Sequence, residues 1–320
     1  MLLFFGLPLL FAFLFGRVFC AGVCPFGALQ ELLLIKNHRL PRPLSTVLGM
    51  IPWIYLLFAL LYAVTRSSFL LCRFDPFVPI FRLGGDLGML VFGGALLLVS
   101  LFVSRPFCRF LCPYGALLGV FASVSLWRVK ITKKECINCE LCHHACPVDA
   151  ILPPYANQVK ESRAQGVRRV LAYALLLPLL MACGALLMYL ASDSLSRAHK
   201  EVRLYDLSVQ YADAQATLPI ELETYYAQGG TAEAVAARYA DIRAGFRRYG
   251  TLTGALIGLV IGITQIRLST KRSRKQYAID PAACVACGRC FGYCPQNIAA
   301  GKQPPSADGL HLSTPNKRQP

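Results

Sequence analysis

Cys136-Ile137-Asn138-Cys139-Glu140-Leu141-Cys142-His143-His144-Ala145-Cys146-Pro147 and Cys284-Val285-Ala286-Cys287-Gly288-Arg289-Cys290-Phe291-Gly292-Tyr293-Cys294-Pro295 are two copies of one spacing, C-x-x-C-x-x-C-x-x-x-C-P. Eight of the 14 cysteines fall within them. In such a run, three thiolates separated by pairs of residues wrap one corner of a 4Fe–4S cubane. The fourth, held off by three residues and a turn-setting proline, often reaches a neighbouring cluster. A disulfide framework has no reason to repeat that spacing, and structural zinc draws two ligands from each of two separated pairs. Two identical runs therefore predict two 4Fe–4S clusters. Cys139-x-x-Cys142-His143 also satisfies a haem-attachment pattern, but it lies wholly inside the first run, and no haem is expected.

Outward from these runs the chain is apolar: 55% of its 320 residues are hydrophobic, with a mean hydropathy of +0.48. Ordinary soluble domains are less so. Met1–Gly16, Val47–Thr65, Leu87–Ser104, Val170–Ser192 and Tyr249–Ile266 carry no charge. Each is near the roughly 20 residues a helix needs to cross a bilayer core. The first block has no basic flank before it and no small-residue cleavage site after it, which disfavours a secretory leader. The prediction is an α-helical integral membrane protein with about five transmembrane helices.

Charge gives the orientation. With the N-terminus outside, the inner segments hold 23 of the 33 Lys and Arg and seven of the 17 acids. The outer segments are neutral, so the whole net charge of +16 lies on one face. The positive-inside rule makes that face cytoplasmic, and both cysteine runs fall on it, where thiols stay reduced. A basic surface flanking membrane spans points to anionic headgroups, not to nucleic acid.

The predicted organisation is a membrane region over 1–130, a first cluster motif over 131–156 and a span over 168–192. A periplasmic helical hairpin follows over 193–248, then a returning span over 249–266. The second cluster motif covers 277–300 and a disordered tail 301–320. Gly250, Gly254, Gly258 and Gly262 recur every fourth residue along the returning span, a stripe that permits close helix contact, most economically with Val170–Ser192. The two runs would then emerge side by side as one ferredoxin-like module. In the crossed arrangement Cys136, Cys139, Cys142 and Cys294 share one cluster, and Cys284, Cys287, Cys290 and Cys146 the other. Ile137, Val148, Ile151, Val285 and Ile298 are apolar neighbours suited to covering them.

A second repeat lies at the predicted membrane surface. Arg17-Val18-Phe19-Cys20-x-x-x-Cys24-Pro25-Phe26-Gly27 returns 88 positions later as Arg105-Pro106-Phe107-Cys108-x-x-x-Cys112-Pro113-Tyr114-Gly115. Each copy runs into an apolar stretch too short to cross, Ala28–Ile35 or Tyr114–Trp127, read as interfacial or re-entrant. C-x-x-x-C on one helix would put both sulfurs on one face. Cys20, Cys24, Cys108 and Cys112 are thus candidates for a further redox or metal site. Three readings stay open for them: metal ligation, dithiol–disulfide cycling, or packing as small hydrophobes. Cys72 and Cys183 have no partner pattern.

These repeats, with Cys72-Arg73-Phe74-Asp75-Pro76, resemble the membrane polyferredoxins of the NapH and NosR type. The resemblance covers 16–150 and 279–299. It implies an iron–sulfur electron-transfer protein of the bacterial cytoplasmic (inner) membrane, passing electrons between the quinone pool and a periplasmic or membrane oxidoreductase. Two departures stand out. Here 137 residues separate Cys146 from Cys284, where the family keeps its runs close. The chain also lacks the S-G-A-T flavin-attachment sequence of a NosR-type protein, so no flavin is expected. No catalytic acid, base or nucleophile constellation is visible, which makes an electron-transfer subunit of an oxidoreductase system the better reading than a stand-alone enzyme. The alternatives are a maturation factor for a periplasmic metalloenzyme and an iron–sulfur redox sensor.

Overall fold

The computed structural model describes residues 2–67, 76–82, 84–132, 135–154, 163–211, 219–269, 274 and 276–296, less the side chains of Leu2, Phe4 and Arg163. Cys72, Ile298 and the 301–320 tail lie outside the described residues. The chain divides into two compact units.

One unit comprises Pro25–Leu117 and Val159–Arg272. Its centre is a pair of long helices, Arg163–Ser196 and Ala232–Ser269. Gly184 opposes Gly254, Leu180 opposes Gly258 and Leu177 opposes Gly262. As one number rises the other falls, so the helices run antiparallel. Gly250, Gly254, Gly258 and Gly262 are all buried, and the stripe predicted from their spacing is the contact face. A β-carbon at Gly254 or Gly258 would strike the carbonyl oxygen of Gly184 or Leu180. Only hydrogen at these positions allows the backbones to come so close. At one end Arg243 Nε donates to Asp193 Oδ1 at 3.0 Å. At the other an Arg169 guanidinium N–H donates to the carbonyl of Ser269 at 3.0 Å. Arg42–Leu48 and Ile51–Val64 form a third apolar column against the returning helix, with Tyr62 set edge-on to the fully buried Phe246 at 6.0 Å.

Three helices are long and apolar enough to cross a membrane: Arg42–Val64, Ala164–Ser196 and Ala232–Ser269. Leu171, Leu175, Leu179, Leu187 and Leu190 point outward from the second. The two other blocks expected to span form helices of 14 residues each, Leu2–Phe15 and Leu87–Ser100. At 1.5 Å per residue each is about 21 Å long. The segment read as a hairpin holds the helices Lys200–Gln210 and Ile220–Ala227. Its last helix is continuous with the returning one, because nothing between Thr231 and Tyr249 breaks it. Leu195 belongs to the preceding helix and Val202 to the next. A turn at 197–199 intervenes, and His199 caps the next helix by accepting from the Glu201 amide at 3.2 Å.

The other unit gathers Met1–Cys24, Leu118–Gln158 and Ser273–Pro320. It is joined by a two-stranded antiparallel ribbon, β1 (Ile151–Leu152) with β2 (Ala278–Ile279), in which Ile151 pairs with Ile279. The Asp280 amide extends it, donating to the carbonyl of Ala150 at 2.8 Å. Leu2–Phe15 ends against this unit's middle segment. Leu126 and Trp127 amides take the carbonyls of Phe13 and Leu14, and Trp127 stacks on Phe15 at 5.4 Å.

Candidate iron–sulfur site

The two cysteine runs adopt one backbone. Each opens with a turn in which the first cysteine's amide reaches four residues back, Cys136 to Thr132 and Cys284 to Asp280. Left-handed residues then fall at matching places: Asn138 with Ala286, and Glu140 with Gly288. A side chain in that region costs about 1–2 kcal/mol. Accepting it at Asn138, Glu140 and Ala286 curls the loop so that its cysteines face inward. A short helix follows in each copy, Leu141–Ala145 with Cys142 and Arg289–Gly292 with Cys290. The fourth cysteines match too, with Cys146 bonded to the His143 carbonyl and Cys294 to that of Phe291.

The fourth cysteine of the first run lies beside the cysteines of the second. A cavity is lined by Cys284, Cys287, Cys290 and, from the other run, Cys146. Burial pushes the Cys290 thiol up to about 12, with Cys284, Cys287 and Cys146 adding to the effect. Burial likewise raises Cys142, whose thiol neighbours are Cys139, Cys136 and Cys294. Burial raises Cys146 and Cys284 against the pull of backbone amides. The Ala150 amide donates to Cys146 Sγ at 3.3 Å and the Ala286 amide to Cys284 Sγ at 3.4 Å. Val148, Ile151 and Val285 are buried around this set, whereas Ile137 is exposed.

This donor set fits iron–sulfur clusters. Four thiols, of Cys146, Cys284, Cys287 and Cys290, face one shared space, amides point at sulfur, and aliphatic side chains exclude water. Among the described residues no three His, Cys, Asp or Glu side chains close on a point as ligands of a single metal ion would. His143 is held as a neighbour, its Nδ1 3.0 Å from the Ile151 carbonyl oxygen. Sequence reasoning missed Tyr277, which is buried beside His143 with ring centroids 5.9 Å apart. Burial, and then a hydrogen bond with Glu140, push its hydroxyl up to about 12. Its position just before β2 was the available signal.

The C-x-x-x-C-P copies also share a local fold, with one correction to the sequence reading. Cys20 and Cys108 are buried in the short helices Val18–Gly22 and Pro106–Phe110, but Cys24 and Cys112 lie beyond them. Pro25 and Pro113 begin new helices, and a residue before proline is driven from helical geometry. The paired sulfurs therefore do not share one helical face. Each second cysteine instead turns its amide back, Cys24 to the Phe19 carbonyl and Cys112 to that of Phe107. Cys112 Sγ accepts from the Gly115 amide at 3.2 Å. Cys20 and Cys24 belong to the cysteine-run unit, Cys108 and Cys112 to the long-helix unit.

The arginine opening each copy was also missed as a structural element. Arg17 is buried and donates to the carbonyl of Ala282 at 3.0 Å. Arg105, buried with φ of 51°, forms an ion pair with Glu31. The matching places of these arginines, three residues before Cys20 and Cys108, were the sequence signal.

A family model described as a 4Fe-4S binding domain matches residues 1–43 and 86–135, and a second, also described as a 4Fe-4S binding domain, matches 129–152. The chain is 35% identical over 161 residues to the regulatory protein NosR of Pseudomonas aeruginosa, covering 46% of this chain and 22% of that one. It is 29% identical over 154 residues to the ferredoxin-type protein NapH of Escherichia coli K12, covering 46% and 53%. These matches support a polyferredoxin of the NapH and NosR type. A putative electron transport protein of the same organism, YccM, is 30% identical over 151 residues, covering 42% of each chain. The chain thus matches less than two thirds of the length of these relatives. No solved structure matches it.

Proposed function

We propose that this protein carries electrons in the bacterial cytoplasmic membrane, between a quinone or membrane partner and a respiratory or periplasmic oxidoreductase. It would cross the bilayer five times, with two 4Fe–4S clusters on the cytoplasmic side. Cys136, Cys139, Cys142 and Cys294 would hold one, and Cys284, Cys287, Cys290 and Cys146 the other. The clusters, when bound, supply one-electron carriers. The residues do the rest. Cys146 and Cys294 tie each run to the other's cluster, which keeps the two carriers close. The Ala150 and Ala286 amides donate to sulfur, and Val148, Ile151 and Val285 keep water from the second set. The observation that carries this reading is the cavity shared by Cys146 with Cys284, Cys287 and Cys290.

The test is anaerobic purification followed by redox titration in membranes. About eight irons per chain and reduction by added quinol at a rate matching respiratory flux are expected. A colourless, iron-free protein, or clusters that quinol leaves oxidised, would overturn the proposal.

A further inference from the structure

A second recess lies in the same unit as the cysteine runs. Phe15, Gly16, Arg17, Ser125, Arg128 and Cys284 line a shallow, open cleft. Ser125 is 6% exposed, and its hydroxyl has no hydrogen-bond partner among the described residues. A buried hydroxyl left unsatisfied costs about 1–3 kcal/mol, so this wall calls for an acceptor. Arg128 is exposed and donates to the Ser123 carbonyl at 3.1 Å, which leaves further N–H groups on its guanidinium. Arg17, anchored on Ala282, contributes a second positive charge.

We propose that this cleft binds the phosphate ester of an anionic phospholipid headgroup, held by the Arg17 and Arg128 charges and by the Ser125 hydroxyl. Two cations favour a formal anion over a neutral carbonyl ligand, because charge-assisted hydrogen bonds are about twice as strong. The cleft opens at the end of the Leu2–Phe15 helix, whose Leu3, Phe5 and Leu10 point outward. The exposed Trp127 stacks on Phe15 there. An outward apolar helix ending in an aromatic pair and basic residues is where headgroups lie. The negative end of that helix does not oppose the anion, because Leu126 and Trp127 amides already cap Phe13 and Leu14. The inference rests on the membrane-embedded reading but not on the cluster assignment.

The full chain, purified anaerobically, is placed in nanodiscs of phosphatidylcholine with or without phosphatidylglycerol. Tightly held lipid is then counted by mass spectrometry after detergent washing. Wild type should retain one phosphatidylglycerol, and Arg128→Gln should weaken retention about tenfold, as expected for one charge-assisted bond. Ser125→Ala, which removes no charge, should weaken it severalfold. Added inorganic phosphate separates the sources: no displacement supports the lipid headgroup, whereas displacement by phosphate alone overturns it in favour of a soluble anion. Equal retention by wild type and both variants, or no preference for phosphatidylglycerol, also overturns the proposal. Iron is measured on the same samples. Full iron with lost lipid isolates this site, and missing iron in the wild type sinks the cluster reading alone.

Discussion

Around Cys284 the backbone is bent, with left-handed residues at Ala286 and Gly288 and thiols turned toward a cavity. Between Gly250 and Gly262 it is regular helix, pressed at Gly254 and Gly258 against Gly184 and Leu180 with no space for a β-carbon. The first region tolerates conformational cost and buried polar groups because ligands are to be arranged there. The second has nothing to arrange and is held by shape alone. Chemistry should therefore disturb one, and steric bulk the other.

The largest effect expected from this contrast is loss of a cluster. Cys294→Ser should remove about half the iron, and the EPR signal that disappears should belong to the set containing Cys136, Cys139 and Cys142. Cys146→Ser should remove the other signal. Loss of the Cys284–Cys290 signal on changing Cys294 would break the crossed assignment. Next comes Gly258→Leu, which forces side-chain bulk into the Leu180 backbone and should destabilise the helix pair by about 3 kcal/mol. Unfolding in detergent measures it, and iron content should change far less than in the cysteine variants. A smaller effect is expected of Tyr277→Phe, which removes a buried hydroxyl beside Glu140 and should cost about 1 kcal/mol in denaturation of the cysteine module.

The smallest effect is one of pH. In iron-free protein, burial holds the Cys290 thiol up to about 12, above its ordinary value of 9.0. Between those values the folded state keeps a proton that the unfolded chain has released, so stability falls as pH rises through that window. Denaturation of the iron-free protein at pH 8 and pH 11 reads the difference. It should shrink in Cys290→Ala, while the glycine-seamed pair gives no comparable slope of this origin.

Local signals were legible and distant ones were not. The four-residue glycine period announced the helix contact, because it is written within a few turns of chain, as are the cysteine spacings. Arg17 bonds to a carbonyl 265 residues away, and no periodicity carries that. The breaks at Pro25 and Pro113 were written in the sequence but outweighed by the apparent symmetry of C-x-x-x-C. Block length proved a weaker guide than composition. Leu87–Ser104 is uncharged for 18 residues, yet its helix stops at Ser100, where the hydroxyl turns back to the Leu96 carbonyl at 2.7 Å.

The ribbon that joins Ile151 to Ile279 has a consequence for biosynthesis. Its second strand leaves the ribosome only after a further 127 residues, which at about 5–20 residues per second takes roughly 6 to 25 s. Throughout that interval Cys136, Cys139, Cys142 and Cys146 stand in a half-built fold, reachable by oxidants and by iron-delivery factors alike. On the proposed ligand sets, cluster loading would wait for the second run to be translated, and a chain truncated before Ala278 would present its first four thiols with no closing strand.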